Sequence, residues 1–198
     1  HLAQAACACL DLPCPEPDLS EWTKMAENLD ASKETVEIAL VGKYTQLHDA
    51  YLSVVEALNH GGIANRVRVK IRWTDSEEIE AKGCEALLSG IDGMIIPGGF
   101  GNRGTEGMIQ AADYARVNRI PFLGICLGMQ MAVVAFARSV LGYHDANSTE
   151  FAPDTIHPVI DLMAEQRDVE NLGGTMRLGA YPCTLKKDSL AYQLYGKE

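Results

Sequence analysis

Short apolar segments alternate with amphipathic stretches along the chain from residue 36 onward. Residues 36–41 and 93–96 are almost entirely apolar, which is typical of strands buried on both faces of a sheet. Residues 66–73 alternate polar and apolar side chains and therefore predict a half-exposed strand near a sheet edge. A further apolar strand is predicted at 121–125.

Between these strands, apolar residues recur at helical spacing. Helices are predicted over 49–60, 76–88, 105–118 and 129–140, and Gly61-Gly62 is expected to end the first of them. This alternation predicts an α/β fold with a doubly wound, mostly parallel sheet flanked by helices. Extra antiparallel strands are predicted after residue 156, at 157–163 and 175–185.

The first 33 residues differ in composition from the remainder. Residues 12–17 are rich in proline and predict an extended segment, and 18–25 predict one short helix. We therefore expect 1–33 to be a linker from a preceding domain that is absent here, and 34–198 to form the folded domain.

The composition narrows the class of protein. The chain has 198 residues, 47% hydrophobic and 22% charged, as in ordinary soluble globular domains. Its net charge of −10 argues against nonspecific binding to nucleic acid and against docking on anionic membranes. No apolar run approaches the roughly 18–20 residues of a membrane-spanning helix, and no signal peptide is recognisable. The six cysteines lack the spacing of a disulfide framework, so we expect a reducing, cytoplasmic location.

Three of these cysteines, Cys7, Cys9 and Cys14, are clustered near the amino terminus. They could be three ligands of a metal site, but a structural zinc needs four and no partner pair follows at finger spacing. We therefore interpret them as incidental thiols and predict no metal site.

Cys126 lies in the run Gly124-Ile-Cys-Leu-Gly128, between the apolar strand and the predicted helix. This pattern predicts a nucleophile elbow, a tight strand-to-helix turn that presents its central side chain above the sheet edge. At a helix start the peptide dipoles favour the thiolate, which is the reactive form of cysteine. The alternative is a buried structural cysteine that follows a core strand.

A second glycine-rich run, Pro97-Gly-Gly-Phe-Gly-Asn-Arg-Gly-Thr-Glu-Gly107, follows the preceding apolar strand. It lacks the Gly-Lys-Ser/Thr ending of a P-loop and the spacing of a dinucleotide fingerprint. Ligands bind beyond the carboxyl ends of parallel strands, where both glycine runs are predicted to lie. A thiol beside an amide-rich loop is the arrangement that acyl transfer with an oxyanion hole requires.

These two runs together resemble the class I, triad-type glutamine amidotransferases. Within that family the chain is similar to the glutaminase domains of CTP synthases, and the similarity covers nearly all of residues 12–195. Three further runs carry the resemblance: Val41-Gly-Lys-Tyr44 with Asp49-Ala-Tyr51, Ala146-Asn-Ser-Thr-Glu-Phe151, and Leu172-Gly-Gly-Thr-Met-Arg-Leu-Gly179.

The resemblance implies that Cys126 attacks the side-chain amide of L-glutamine, giving a γ-glutamyl thioester and ammonia. It implies an oxyanion hole formed by the amides of Gly99 and Leu127. The residues implied to hold glutamine are Gly99, Phe100, Leu127, Gly128, Met129, Gln130 and Glu150. For Glu150, an ordinary capping or loop carboxylate is the alternative interpretation.

The resemblance also implies partners outside this domain. The family passes ammonia to a synthase domain, absent here, which uses ATP and Mg²⁺ to convert UTP to CTP within a homotetramer. No cofactor is implied for the glutaminase domain itself. GTP is implied as an allosteric activator near a mobile lid that corresponds to Arg103, Gly104, Glu106 and Gly107. An ordinary surface arginine is the alternative for Arg103.

The chain departs from the family where the catalytic base is expected. The family uses a His-Pro-Glu tripeptide far beyond the cysteine, and this sequence contains none. His157-Pro-Val159 is a poor substitute because valine cannot orient an imidazole. The charged stretch before residue 172 is also short. We therefore expect the domain to be incomplete at the carboxyl terminus and near 168–171.

Three other functions remain open at this point. The chain could serve a different synthase, although the Asn-Ser-Thr-Glu-Phe and Gly-Gly-Thr-Met-Arg runs argue against this. It could be a cysteine hydrolase or chaperone of the related flavodoxin-like superfamily. It could also be a non-catalytic module that binds glutamine or GTP without hydrolysis.

Overall fold

The computed structural model describes residues 2–161 and 182–196 of the chain. The chain divides into two compact units, His1–Ile160 and Asp161–Glu198. The described part of the second unit contains one short helix, α8 (Leu190–Tyr195), whose first turn is capped by the Ser189 hydroxyl. The Leu172–Gly179 motif and the predicted gap at 168–171 lie outside the described residues. The predicted strand at 175–185 lies mostly outside them, and its described part, 182–185, forms no strand.

The first unit contains a four-stranded parallel sheet. Its strands are β1 (Glu34–Gly42), β2 (Val67–Asp75), β3 (Gly93–Ile96) and β4 (Phe122–Gly124), in the order β2-β1-β3-β4. Every neighbouring pair is parallel, and β2 lies at an edge, as its alternating pattern predicted. The carboxyl ends of β3 and β4 are adjacent because Ile96 pairs with Gly124.

Five helices connect or follow these strands: α3 (Leu52–Asn65), α4 (Ser76–Lys82), α5 (Cys84–Leu88), α6 (Thr105–Val117) and α7 (Leu127–Ser139). A 3-10 helix, His48–Tyr51, leads into α3. The predicted helix over 76–88 is interrupted because Gly83 adopts φ 81°, which separates α4 from α5.

The prediction that Gly61-Gly62 ends the first helix was wrong. The helix α3 continues to Asn65 and is terminated by Arg66, which adopts the left-handed conformation with φ 57°. A Cβ on Gly62 would lie 2.8 Å from the Val67 carbonyl oxygen. Glycine therefore permits the close approach of the helix to β2 and does not stop the helix.

The predicted linker contains two helices, α1 (Leu2–Cys9) and α2 (Ser20–Ala31). The sequence indicated a short helix in the region of α2 but gave no indication of α1. The proline-rich residues 12–17 between them form neither helix nor strand, as expected. Asn28 of α2 accepts a hydrogen bond from Arg66 Nε at 3.0 Å, which connects this segment to the end of α3.

A second, smaller sheet pairs β5 (Asn147–Ser148) with β6 (Pro158–Ile160). This pair is parallel, so the predicted antiparallel orientation was wrong here. The parallel orientation arises because residues 149–157 form turns between the two strands. In these turns the Ala152 amide donates to the Ser148 carbonyl and the Thr155 amide donates to the Ala152 carbonyl. These turns carry the chain back, so that β6 runs in the same direction as β5.

The sheet is covered on both faces, as a doubly wound fold requires. Ala39 and Val41 of β1 belong to a core that also includes side chains of α6 and α7. Leu40, between them, faces the opposite side and packs with Tyr51 and Ile95. Because side chains alternate along a strand, β1 contributes to both cores and is central to the unit. Within the described residues, no helix is long and apolar enough to cross a membrane.

Candidate active site

Cys126 forms the turn between β4 and α7 and adopts φ 53° and ψ −110°. Non-glycine residues rarely occupy this region, and such strain persists only where the surrounding structure enforces it. The turn is closed by the Gly128 amide, which donates to the Ile125 carbonyl at 2.9 Å. The Cys126 side chain is exposed, so it is not a buried structural cysteine. The geometry is that of the predicted nucleophile elbow.

The glycines that flank Cys126 are required by close backbone contacts. A Cβ on Gly128 would lie 2.0 Å from the Ile96 carbonyl oxygen, and one on Gly124 would lie 2.6 Å from the Gly128 carbonyl carbon. Contacts this short do not occur in real structures. The elbow therefore forms because neither glycine has a side chain.

The loop that follows β3 lies directly beside the thiol. The position of a Cβ on Gly98 is 3.4 Å from Cys126 Cβ and 3.8 Å from its Sγ, and the corresponding position on Gly99 is 3.4 Å from Leu127 Cδ2. Leu127 begins α7, and amides in a first helical turn have no acceptor within the helix. The two amides predicted to form an oxyanion hole thus belong to residues in contact beside the thiol.

The residues predicted to bind glutamine differ in their surroundings. Gly128 is buried at the elbow, Gln130 is half-buried, and Met129 is 49% exposed. Phe100 is 85% exposed at the tip of the loop after β3. Glu150 is exposed in the turn after β5, where its amide donates to the Ser148 hydroxyl at 3.2 Å.

Lys43 is a residue of this site that our sequence interpretation did not assign. It is only 3% exposed, and its Nζ donates to the Phe100 carbonyl at 3.1 Å and to the Gly101 carbonyl. Burial, and then the charge of Arg103, lower the pKa of Lys43, whereas the charge of Glu150 opposes this shift. Lys43 therefore connects the loop after β3 electrostatically with Glu150. A charged residue placed directly after a buried strand was the signal that could have identified it.

The predicted lid residues make contacts within the first unit. Arg103 pairs with Glu77, which raises the pKa of the guanidinium, and Arg103 Nη2 donates to the Lys43 carbonyl at 2.9 Å. Gly104 and Gly107 are both buried against Ser76. A Cβ on Gly104 would lie 2.2 Å from the Ser76 Oγ, and a Cβ on Gly107 would lie 1.8 Å from the Ser76 carbonyl oxygen.

The remaining lid residue, Glu106, pairs with Arg138 of α7 at 2.7 Å. The arginine also donates from Nε to the Ala146 carbonyl at 2.8 Å. This ion pair joins the start of α6 to α7 and to the segment before β5. The role of these lid residues in binding GTP stays a prediction.

Four histidines lie in the described part of the chain, and none of them forms a hydrogen bond with Cys126 there. His157 binds Asp145 with 2.5 Å between Nδ1 and Oδ1 and stacks on Tyr143 at 4.2 Å. This hydrogen bond is the main cause that lowers the pKa of Asp145. His48 stacks on Trp73 at 4.0 Å. No sequence pattern indicated that Asp145 would bind His157.

A metal site is a separate question. Within residues 2–161 and 182–196, no group of three or more His, Cys, Asp or Glu side chains could hold a metal ion.

Similarity to known proteins extends over nearly the whole chain. The family model for glutamine amidotransferase class-I matches residues 46–197. A CTP synthase of Clostridium beijerinckii is 56% identical over 197 residues, covering 100% of this chain and 37% of the relative. One of Pyrococcus furiosus is 60% identical over 189 residues, covering 96% and 35%. The chain thus spans little more than a third of the length of these relatives.

Among solved structures, the chain is similar to the glutaminase domain of Trypanosoma brucei CTPS with bound acivicin. The TM-score is 0.70 at 40% sequence identity, and the match covers 82% of this chain and 63% of the other.

Proposed function

The chain belongs to the class-I glutamine amidotransferase family, and on this premise we propose that it is the glutaminase domain of a CTP synthase. It would hydrolyse L-glutamine and supply ammonia for the ATP-dependent amination of UTP to CTP. The proposal rests mainly on Cys126, which is strained, exposed and next to the loop after β3 that contains Gly99. The similarity to CTP synthases over the whole chain supports the choice of synthase.

In the proposed reaction, Cys126 Sγ attacks the carboxamide carbon of glutamine. The carbonyl oxygen becomes an oxyanion, which the amides of Gly99 and Leu127 would stabilise by hydrogen bonding. The C–N bond then breaks, ammonia leaves with the proton taken from the thiol, and a γ-glutamyl thioester remains. Water hydrolyses the thioester to glutamate and regenerates the thiol. The group that carries the proton is not assigned among the described residues.

Glutamine would be held on both sides of the thiol. We propose that Glu150 accepts hydrogen bonds from the substrate ammonium and that Gln130 pairs with another polar group of the substrate. The exposed Phe100 would cover the apolar stem of glutamine. The other proposed contacts come from Gly99, Leu127, Gly128 and Met129.

The remaining functions of the whole enzyme would involve a second domain and an effector site in this chain. ATP, UTP and Mg²⁺ would bind a synthase domain, to which residues 1–33 would be the linker and 34–198 the attached glutaminase domain. GTP would activate the enzyme at Arg103, Gly104, Glu106 and Gly107, where the exposed guanidinium can bind a phosphate. We also propose a cytoplasmic homotetramer.

The test is Cys126→Ala in the full-length protein that carries this chain. We expect loss of glutamine-dependent CTP formation while the reaction supplied with free ammonia is retained, because the thiol serves only glutamine hydrolysis. Cys14→Ala, at another exposed cysteine, is the matched control and should leave both reactions unchanged. Equal loss of both reactions in Cys126→Ala would contradict the proposal. Binding of glutamine without ammonia release by the unmodified protein would instead indicate a non-catalytic module.

A further inference from the structure

The outer part of the loop after β3 has little packing of its own. Phe100 is 85% exposed, and no atom lies within 4 Å of the Cβ position of Gly101, which adopts φ 72°. This loop nevertheless carries Gly99, a proposed donor to the oxyanion. A donor is effective in catalysis only if it is already oriented before the reaction. Groups outside the loop must therefore hold it in place.

Lys43 holds this loop from the end of β1. Its Nζ donates to the carbonyl oxygens of Phe100 and Gly101, the two residues that follow Gly99. Its aliphatic stem lies against Gly99 itself, with Cδ 3.4 Å from the Cβ position of that glycine. The side chain thus contacts three consecutive residues of the loop.

The backbone of Lys43 is itself fixed on both sides. Its amide donates to the Tyr51 hydroxyl at 3.1 Å, and Tyr51 is buried in the second core. Its carbonyl accepts a hydrogen bond from Arg103 Nη2 at 2.9 Å, which is a second link to the same loop, so the anchor outside the loop is Tyr51. An ammonium that moved with the loop could not restrain it, whereas an ammonium attached to a fixed backbone can.

Burial of this ammonium is unfavourable unless its donors are bound. Burial lowers the pKa of Lys43, which is the expected consequence of removing the charge from water. The two carbonyl oxygens compensate for part of this cost. The charged form is therefore best accommodated when the loop has the observed conformation.

We propose that Lys43 is a positioning residue that keeps the Gly99 amide directed toward the reacting centre at Cys126. It would act through the loop and would not touch the substrate. This inference rests on the proposed function, because it assigns a role within the same oxyanion hole. The competing explanation is that Lys43 only stabilises the fold.

The test compares two reactions of the same thiol in Lys43→Met, a substitution that keeps the apolar stem and removes the donors. Glutamate γ-semialdehyde adds to the thiol and forms a tetrahedral oxyanion, so its affinity reports on the oxyanion hole. Iodoacetamide alkylates the thiol by displacing iodide and forms no oxyanion. Lys24→Met, at an exposed lysine of α2, is the matched control.

We expect Lys43→Met to bind the aldehyde roughly 10²-fold more weakly, as for the loss of an oxyanion-hole donor. The kcat for ammonia release should fall by a similar factor with little change in KM. The rate of alkylation of Cys126 by iodoacetamide and the melting temperature of the protein should stay close to those of the Lys24→Met control. If Lys43→Met does not fold, Lys43→Gln, which retains a neutral donor, allows the same comparison.

Unchanged aldehyde affinity in the variant would overturn the inference. Parallel loss of aldehyde affinity, alkylation rate and melting temperature would overturn it as well, because that result indicates a role in folding only. If the unmodified protein neither binds the aldehyde nor releases ammonia, the proposed function itself fails and the inference fails with it.

Discussion

The glycine-rich loops after β3 and β4 lie side by side, yet different interactions hold them. The elbow after β4 is fixed by the main chain, because Gly128 approaches the Ile96 carbonyl too closely for any side chain. The outer part of the loop after β3 is fixed by side-chain contacts with residues distant in sequence, chiefly those of Lys43 with Phe100 and Gly101 and of Arg103 with Glu77 and Lys43. The proposed nucleophile is therefore placed by close packing of the main chain, whereas the loop that carries the proposed oxyanion donor is placed by side chains.

This difference predicts different responses to mutation. A change at the elbow should affect the fold, because the backbone contacts there join β3 to α7. A change in the side chains that hold the loop after β3 should affect the conformation of that loop and the rate of the proposed glutamine hydrolysis more than the stability of the fold. The following experiments test this contrast.

The largest effect is expected for Gly128→Ala. The added Cβ would lie 2.0 Å from the Ile96 carbonyl oxygen, and a backbone atom cannot move aside as a flexible side chain can. Overpacking typically costs 1–3 kcal/mol, and we expect at least about 3 kcal/mol here, measured by urea unfolding.

The matched control is Gly61→Ala, which also lies in a helix. No atom lies within 4 Å of its Cβ position, so the change should stabilise the protein by about 0.5–1 kcal/mol. Similar effects of the two substitutions would show that the elbow does not depend on close backbone contact.

A smaller, pH-dependent effect is expected for Glu37→Gln in β1, the strand that leads to Lys43. Hydrogen bonds from Arg72 and then Lys70 lower the pKa of Glu37 from 4.5 to about 2. Because the pKa of Glu37 is lower in the folded protein than in the unfolded chain, the ionised Glu37 stabilises the fold. This contribution is complete above pH 4.5 and is lost as the pH falls toward 2. The variant should be less stable at neutral pH, and the difference should shrink across this range.

The measurement for Glu37→Gln is urea unfolding of both proteins at several pH values. The control is Glu34→Gln in the same strand, which is exposed. A difference in unfolding free energy that stays constant between pH 4.5 and 2 would refute this assignment.

Glu77→Gln should alter the loop while leaving the fold nearly unchanged. It removes the partner of Arg103, and because the pair is exposed its contribution to global stability should be small. Faster amide hydrogen exchange is expected at residues 101–104, with little change elsewhere. Glu78→Gln, which breaks the exposed pair with Lys82, is the control. Equal exchange rates in the two variants would mean that Arg103 does not restrain the loop.

The smallest effect is expected for Ser76→Ala. The Ser76 hydroxyl is buried against Gly104 and has no hydrogen-bond partner within the described residues. Removing an unsatisfied hydroxyl should be neutral or should stabilise the protein by up to about 1 kcal/mol in thermal unfolding. A marked loss of stability would mean that this hydroxyl is bound in solution.

The contrast between the two loops also explains what could be predicted from the sequence. The elbow was predictable because Gly124, Cys126 and Gly128 are close together in the chain and form a recognisable pattern, although the contact that requires Gly128 is with Ile96 of β3. The strands β1 and β3 were predictable because buried strands need apolar residues on both faces, and β2 was predictable because its polar and apolar residues alternate. The interruption at Gly83 was missed because the surrounding residues favour a helix.

Lys43 was missed for the opposite reason. Its contacts with Phe100 and Gly101 join residues far apart in sequence, and no periodic pattern marks them. The parallel pairing of β5 and β6 depends on turns formed by main-chain hydrogen bonds within 148–155, which polarity does not indicate. The hydrogen bond between His157 and Asp145 likewise depends on how those turns fold.

We propose that Cys126 is a nucleophile shaped to accept glutamine. The most direct measurement is intact-mass and peptide mapping after reaction with a chloromethyl ketone analogue of glutamine, with and without excess glutamine. We predict one adduct, on Cys126, whose formation glutamine slows, although five other free cysteines are present. Adducts spread over several cysteines, or an adduct on Cys126 that glutamine does not slow, would contradict this account.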